Sequence, residues 1–323
     1  MNTETLVEML KFRRLHGSRS IRKFENRFLR PIFGNPDKGG NYLLDIGETP
    51  NLIFAAHFDS VHRSGGMQRL QIVGDIVTLA KDEKDSNCLG ADCATGIWLI
   101  LAMIEAGVGG RYIIHAQEET GGIGAEWIIE NRPLAYKGID SVISFDRFGT
   151  SEIITHQSGG RTASDDFAES LASVIGLPLS PSDRGSFTDS YCYANDVSEC
   201  CNVAVGYRGQ HTKSESQDLA YAELLRDCLI CADWSLLRFS RKAGQWDSPW
   251  PSDYAYPEFN RARGYQGWDD ISEETTGMAI VEMVENYPDV IADILESLGY
   301  DERSLAEAIA ESYFAPRQIR RKI

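Results

Sequence analysis

Short apolar runs alternate with amphipathic segments along the first 240 residues. Continuous apolar runs are typical of buried strands, and apolar positions three or four apart are typical of helices. The runs predict strands over 42–47, 52–58, 111–116, 140–146, 152–156 and 202–207. The segment 70–80, with Gly74-Asp75 at its centre, predicts a hairpin. The helical spacing predicts helices over 4–14, 20–30, 94–107, 125–132, 163–175 and 215–240.

This order of elements indicates the fold class and the domain organisation. Strands that alternate with helices predict an α/β fold, and the hairpin favours a mixed, mostly parallel central sheet sandwiched by helices. After residue 240 the pattern changes to a Pro- and aromatic-rich stretch, followed by acidic helical periodicity over 272–315. We therefore expect a main domain over 1–240 and, over 241–323, an extended arm with a small helical extension.

Composition and charge narrow the class of protein. A formal net charge of −16 argues against a nucleic-acid partner, because phosphate backbones require a basic surface. No apolar run is long enough to span a membrane, and the N-terminal segment lacks the apolar core of a signal peptide. The seven cysteines follow no framework spacing, and Cys228 and Cys231 fit helix packing better than redox or metal chemistry. We expect reduced thiols in a cytoplasmic protein.

Five polar segments lie at or just after predicted strand ends, where open α/β sheets place their ligands. The segments are 55–62, 89–96, 115–125, 142–149 and 208–215. They supply imidazole and carboxylate donors, and the candidate metal ligands are His57, Asp92, Glu119, Asp146 and His211. Mixed nitrogen and oxygen ligation without a thiolate suits Zn, Co or Mn at a catalytic site better than a structural zinc.

The same segments fit a site for two ions and a base. One carboxylate can bridge two ions about 3.5–4 Å apart, the arrangement used for metal-assisted hydrolysis. In the adjacent pair Glu118-Glu119, one carboxylate can bind metal while the other takes a proton from water. Asp59 is expected to accept the ring N–H of His57. Each motif alone is weak, since a strand-end histidine is mostly a satisfied polar residue and a Glu-Glu pair mostly a solvated surface.

Taken in order, the motifs resemble the co-catalytic di-zinc aminopeptidase and carboxypeptidase superfamily. Its pattern is H-x-D, a Gly-x-Asp turn, a Glu-Glu pair, a lone Asp or Glu and a final His, and all five elements are present here. The segment GGNYLLDIG (39–47) is similar to the superfamily strand before the first histidine. The resemblance covers about residues 1–240 and implies a catalytic domain with the zinc-exopeptidase fold.

The resemblance implies two zinc sites that share Asp92. The ligands would be His57, Asp92 and Asp146 at one ion, and Asp92, Glu119 and His211 at the other. Glu118 would be the general base, and Asp59 the partner of the first histidine. The superfamily pattern also implies a cis peptide bond between Asp92 and Cys93.

Spacing indicates the subtype. Relatives with a lid or dimerisation domain insert it between the first histidine and the bridging aspartate, or before the final histidine. The intervals 57–92 and 146–211 are too short for such a domain, so the domain organisation resembles that of the compact bacterial leucyl aminopeptidases. SFTDSY (186–191) and Glu215 in HTKSE are instead similar to lidded or dipeptidase relatives, and the substrate class stays open.

Further residues are candidates for substrate contact. Tyr207 and Arg208 precede the final histidine and are candidates for substrate contact. The alternative is that they are a surface pair on an edge strand. Asp189 is a candidate near the site or a turn residue, and His62 a candidate lining the pocket or a solvated loop histidine. His115 fits a packed core position.

We expect a metal-dependent exopeptidase, an aminopeptidase or dipeptidase, that cuts an amide bond of a small peptide. A deacylase or amidohydrolase acting on N-acyl amino acids would use the same metals and base. A glutaminyl-cyclase-like transferase and a non-catalytic binding or scaffold protein are weaker alternatives. Assembly into a homo-oligomer through 241–323 is a further expectation.

Overall fold

The structure is a computed structural model that describes residues 1–47 and 51–245. The chain divides into two units, Met1–Pro251 and Ser252–Ile323, and all described residues belong to the first. The aromatic arm and helical extension predicted over 241–323 lie outside the described residues, apart from 241–245.

The described residues form an alternation of helices and strands. The helices are α1 (Thr3–Leu10), α2 (Arg19–Phe24), α3 (Arg30–Phe33), α4 (Ala91–Glu105), α5 (Ile123–Asn131), α6 (Asp165–Ile175), α7 (Asp189–Cys192) and α8 (Leu219–Cys231). The strands are β1 (Phe12–Arg13), β2 (Tyr42–Ile46), β3 (Leu52–His57), β4 (Gly66–Met67), β5 (Leu70–Val73), β6 (Ile76–Leu79), β7 (Gly110–His115), β8 (Ser141–Arg147), β9 (Glu152–Ile154), β10 (His156–Gln157), β11 (Gly160–Arg161), β12 (Ser180–Ser182), β13 (Glu199–Ala204), β14 (Tyr207–Arg208) and β15 (Ser216–Asp218). Among them, no helix is both long and apolar enough to cross a membrane.

The centre of the fold is a seven-stranded sheet with the order β12-β9-β13-β8-β3-β7-β2. β3 pairs in parallel with both β7 and β8, and β8 pairs in parallel with β13. β2 runs antiparallel to β7, and β9 runs antiparallel to β13. The sheet is therefore mixed and mostly parallel, which confirms the predicted fold class.

Helices cover both faces of the central strand β3, and every residue of that strand is buried. Phe54 and Ala56 belong to the core that includes α4. Ile53 and Ala55 belong to a second core that includes residues of α5. Side chains alternate across a strand, so these pairs point to opposite faces. The continuous apolar run that predicts this strand thus reflects burial on two sides.

A second sheet has the order β14-β15-β6-β5 and contains the hairpin predicted over 70–80. The interval from His57 to Asp92 is described throughout, and its strands are β4, β5 and β6. A hairpin therefore occupies this interval, and no inserted domain lies within it.

The helix predicted over 215–240 is too long. It begins at Leu219, because the side chain of Asp218 accepts the N–H of Tyr221 at 3.0 Å and caps the first turn. The residues before it form β15, which pairs with β6 and β14. Periodicity missed this strand because its three residues are too few to show a pattern.

The two N-terminal helices also differ from the prediction. The helix predicted over 4–14 stops at the end of α1, and β1 pairs with β4 instead. The helix predicted over 20–30 is divided into α2, a π-helical turn at Glu25–Leu29 and the start of α3. Pro31 lies in the first turn of α3 and has no N–H to continue the helical hydrogen bonds.

Glu199 and Arg241 fasten the chain near the end of the described residues. Glu199 is fully buried and accepts the backbone N–H groups of Ser240 and Arg241, each at 2.8 Å. It also accepts the N–H and the hydroxyl of Ser164 at 2.6 and 2.9 Å. The guanidinium of Arg241 donates to backbone carbonyls, among them those of Ala194 and Ser198. The boundary predicted after residue 240 therefore cuts through this network, and the first unit extends past it.

A chain truncated after Phe239 is expected to be at least about 2 kcal/mol less stable than one truncated after Gln245. The shorter chain leaves the buried carboxylate of Glu199 without two of its N–H donors. Urea unfolding followed by circular dichroism measures the difference. Equal free energies of unfolding for the two chains would contradict this account.

Candidate functional site

The five predicted segments meet at one edge of the central sheet. His57 is the last residue of β3, Asp146 lies near the end of β8, and the pair Glu118-Glu119 follows β7. Because β3, β7 and β8 are parallel, their carboxyl ends lie at the same edge. Asp92 enters from the first turn of α4, and His211 from the loop between β14 and β15.

Asp92 lies between the two histidines. Its Oδ1 atom is 3.0 Å from Nε2 of His57, and its Oδ2 atom is 3.1 Å from Nε2 of His211. The two oxygens of one carboxylate thus face two different imidazoles, as a bridging ligand requires. The peptide bond between Asp92 and Cys93 is cis, as the resemblance implies.

Each imidazole has a second carboxylate close to it. Oδ1 of Asp146 is 3.3 Å from Nε2 of His57, and Oε2 of Glu119 is 3.2 Å from Nε2 of His211. Oδ1 of Asp146 and Oε1 of Glu119 are buried atoms without a hydrogen-bond partner among the described residues. Buried carboxylate oxygens normally have partners, so these atoms fit a site that binds cations.

Glu118 lies at the edge of this cluster. Its Oε2 atom is 3.9 Å from Nε2 of His57, farther than either neighbouring aspartate oxygen. Gln117, with φ of 59°, makes the left-handed turn that leads into the 3₁₀ helix Glu118–Thr120. The chain thus brings both members of the glutamate pair to the site, one beside each histidine.

The electrostatics of the cluster favour positive charge. Burial raises the pKa of Glu118 well above its usual range, and burial and the charge of Asp92 raise the pKa of Asp146 to about 7. Against the effect of burial, Asp92 and Glu119 raise the pKa of His211 to about 11. Crowded carboxyl groups therefore either hold protons or draw protons onto the imidazoles. Divalent cations would relieve the same repulsion.

Cys93 is a further group whose ligand atom lies within 4.8 Å of those of His57 and Asp146. Its thiol donates to the carbonyl of Phe145 at 3.1 Å, and burial raises the thiol pKa well above its usual range. A neutral thiol is a poor metal ligand, since the thiolate is the form that binds. The thiol points to the carbonyl of Phe145, whereas the imidazole and carboxylate atoms face one another, so the geometry favours the mixed nitrogen and oxygen set.

Asp59 holds the glutamate pair more closely than it holds His57. Its Oδ1 atom is 3.6 Å from Nδ1 of His57, which is beyond hydrogen-bond distance. Its two oxygens instead accept the backbone N–H groups of Glu118 and Glu119, at 3.2 and 3.3 Å. Asp59 therefore fixes the turn that carries the two glutamates.

The candidates for substrate contact lie in different environments. The hydroxyl of buried Tyr207 donates to the carbonyl of Asp146 at 2.8 Å, so it supports a candidate ligand. Arg208 is exposed on β14. Asp189 is 1% exposed and lies 3.2 Å from Nδ1 of His115, a core histidine as predicted.

His62 is enclosed by its own partners. It is 1% exposed, its Nδ1 atom accepts the N–H of Arg14 at 3.1 Å, and its Nε2 atom is 3.2 Å from Oε1 of Gln68. Both ring nitrogens are therefore occupied, and this geometry does not favour a place in the substrate pocket.

Sequence reasoning did not predict that two buried charges support the turn that carries Asp92. Glu215 accepts the N–H groups of Gly90 and Asp92, and the guanidinium of Arg14 donates to the carbonyls of the same two residues. Glu215 lies in the HTKSE motif, so the motif indicated a position near the candidate site. Arg14 had no such signal, because it falls at the end of a segment predicted as helix.

Comparison with known proteins supports the fold. No protein-family model and no curated protein matches the chain. Among solved structures, the chain is similar to the aminopeptidase PepT of Bacillus cereus, at 14% identity and a TM-score of 0.53, over 72% of this chain and 98% of that one. It is also similar to a Staphylococcus aureus tripeptidase, at 12% identity and a TM-score of 0.54, over 70% and 95% of the two chains.

A third similar structure is the TET1 peptidase of Pyrococcus horikoshii, at 15% identity and a TM-score of 0.52, over 70% of this chain and 98% of that one. Identities this low define the fold alone. The chain has the fold of these peptidases, and the resemblance read from its motifs is confirmed at that level.

Acid is expected to destabilise the fold through His62. Burial and the charge of Arg14 lower the pKa of His62 to about 3, from an ordinary value of 6.5. The stabilisation is therefore present above pH 6.5 and is lost as the pH falls toward 3, by about 2 kcal/mol between pH 7 and pH 5. His62→Gln should remove this share of the pH dependence of urea unfolding. His16→Gln, at an exposed position, should leave it intact, and equal pH dependence in the two variants would contradict the assignment.

Proposed function

We propose that the protein is a metal-dependent exopeptidase that hydrolyses an amide bond of a small peptide at a site for two divalent ions. The single observation that carries the proposal is the carboxylate of Asp92, whose two oxygens lie 3.0 and 3.1 Å from two different imidazoles. A carboxylate that only forms hydrogen bonds in a core does not need two separate histidines, each with a second acid beside it. A carboxylate that bridges two ions does need them.

The proposed ligands divide into two sets that share Asp92. The sets are His57, Asp92 and Asp146, and His211, Asp92 and Glu119. Zinc suits this mixture of donors, and Co or Mn would also fit. When bound, two such ions would polarise the scissile carbonyl and lower the pKa of the attacking water toward ~7.

Glu118 is the proposed general base. Its carboxyl is buried, it lies beside the first ligand set, and Asp59 holds its backbone N–H at 3.2 Å. The carboxylate form of Glu118 would accept a proton from water. Burial raises its pKa and so favours that transfer, and the resulting carboxyl would pass the proton to the leaving amine. Asp59 and Tyr207 support this arrangement by orienting the glutamate turn and the strand of Asp146.

The names of two similar structures, aminopeptidase and tripeptidase, support a peptide substrate. We propose a short peptide with a free N-terminus, and the net charge of −16 favours that cationic end. Deacylation of N-acyl amino acids is the second candidate, because the same ligands and base would serve it.

We also propose a cytoplasmic location and assembly into a homo-oligomer. The similar TET1 peptidase can assemble into a tetrahedron or an octahedral shell.

Glu118→Gln is expected to lower kcat by at least ~100-fold with bound metal unchanged, because the amide cannot accept a proton. Turnover should be measured on dipeptides, tripeptides, aminoacyl amides and N-acyl amino acids, with added Zn, Mn or Co. Glu126→Gln, on α5, is the matched control and should retain activity. Near-wild-type turnover of Glu118→Gln would refute the role of the base, and cleavage of N-acyl amino acids alone would favour the deacylase.

Asp92→Ala is expected to release both ions, because both ligand sets lose a member. Elemental analysis after dialysis measures the ions per chain. Asp75→Ala, at the turn of the β5–β6 hairpin, should retain the wild-type content. Two ions per chain in Asp92→Ala would show that this residue is not the bridge.

A further inference from the structure

The turn Gly90–Asp92 is held by two buried charges of opposite sign. Glu215 and Arg14 are each 0% exposed. Their partners are the N–H and C=O groups of the same two residues, Gly90 and Asp92. Buried charges are costly unless they are fully paired. Here the backbone of one turn supplies partners for both charges, through Nη2 of Arg14 and both carboxylate oxygens of Glu215.

Glu215 joins the turn to the loop of the second histidine. Its Oε2 atom accepts the N–H of Gly90 at 2.8 Å, and its Oε1 atom accepts the N–H of Asp92 at 3.2 Å. It lies four residues after His211 in the same loop. The position of that histidine relative to Asp92 therefore depends on one carboxylate that uses both of its oxygens.

Arg14 joins the same turn to the segment of the first histidine. Its Nη2 atom donates to the carbonyls of Gly90 and Asp92, at 2.8 and 3.0 Å. Its Nε atom donates to the carbonyl of Phe58, the residue after His57, at 3.0 Å. One rigid guanidinium thus joins the segments of His57 and Asp92, two of the three members of the first ligand set.

Gly90 permits this close arrangement. Its φ is 74°, and a Cβ atom there would lie 2.7 Å from the His62 ring and 3.4 Å from Nη1 of Arg14. A larger residue there would press first on the ring of His62, which accepts the N–H of Arg14 at 3.1 Å. The turn, His62 and Arg14 therefore form one close-packed group.

We propose that Arg14 and Glu215 are positioning residues that set the spacing of the two metal sites. Arg14 fixes Asp92 relative to His57, and Glu215 fixes it relative to His211. Neither binds an ion itself. The inference rests on the proposed function for its metals but not for its substrate. Groups that orient metal ligands typically contribute 10- to 100-fold to metal affinity.

The test is a titration of the metal-free full chain with Co²⁺, followed by calorimetry and by visible absorption. Glu215→Gln keeps the size of the side chain but presents an amide NH₂ to a backbone donor. Arg14→Lys keeps the charge but cannot span three carbonyls. Glu199→Gln and Arg241→Lys are matched controls, since they alter an equally buried Glu and Arg held by backbone groups at the chain junction.

We expect Glu215→Gln to weaken the binding of at least one ion by 10- to 100-fold and to change the absorption spectrum of bound Co²⁺. Arg14→Lys should weaken at least one ion by a similar factor. The controls should lower the melting temperature yet bind both ions within about 3-fold of the wild-type affinity, since they stabilise the fold without contacting the ligand turn. This contrast separates a role at the metals from general stability.

The positioning role would be overturned if both site variants bound Co²⁺ with wild-type affinity and spectrum. It would also be overturned if the control variants lost as much metal affinity as the site variants. A wild-type chain that binds two ions but cleaves no peptide would refute the proposed reaction, while the differences between variants would still support the positioning role. A wild-type chain that binds no metal would overturn both.

Discussion

Mutual repulsion among buried carboxyl groups is the constraint on which the site depends. The side chains of Asp92, Glu118, Glu119 and Asp146 are each 10% exposed or less. At such depth water screens charge poorly, so a chain that gathers them needs compensating cations and rigid supports. The fold supplies the supports: parallel strand ends, a capped glutamate turn and the doubly held bridging turn.

These supports come from parts of the chain that are far apart in sequence. The N–H of Asp146 is held by the side chain of Asn202 on the neighbouring strand, at 2.9 Å. Its Oδ2 atom accepts the hydroxyl of Thr188 at 2.9 Å. Together with Asp59, these contacts mean that each ligand-bearing segment is fixed by another segment. A change in one segment would therefore shift ligands on its neighbours.

The sequence predicted the fold class of the central sheet and the segments that meet at its edge, for physical reasons. Strands buried on two faces are continuous apolar runs, and donors placed at their ends stand out against them. Short elements such as β15 left no periodic signal, because two or three residues cannot show one. Arg14 and Glu215 were missed as supports since their partners are backbone groups, which any sequence possesses.

The junction at Glu199 has a practical consequence for the design of fusion proteins that carry this fold. Glu199 pairs with Ser141 at the start of β8, whereas Asp146 lies five residues further along that strand, about 16 Å away. The chain is thus anchored at the end of the sheet opposite to the candidate site. A fusion partner or a surface linker joined after residue 245 would begin at the end of the sheet far from the candidate ligands. The contacts of Glu199 and Arg241 would hold the chain between the linker and the candidate site.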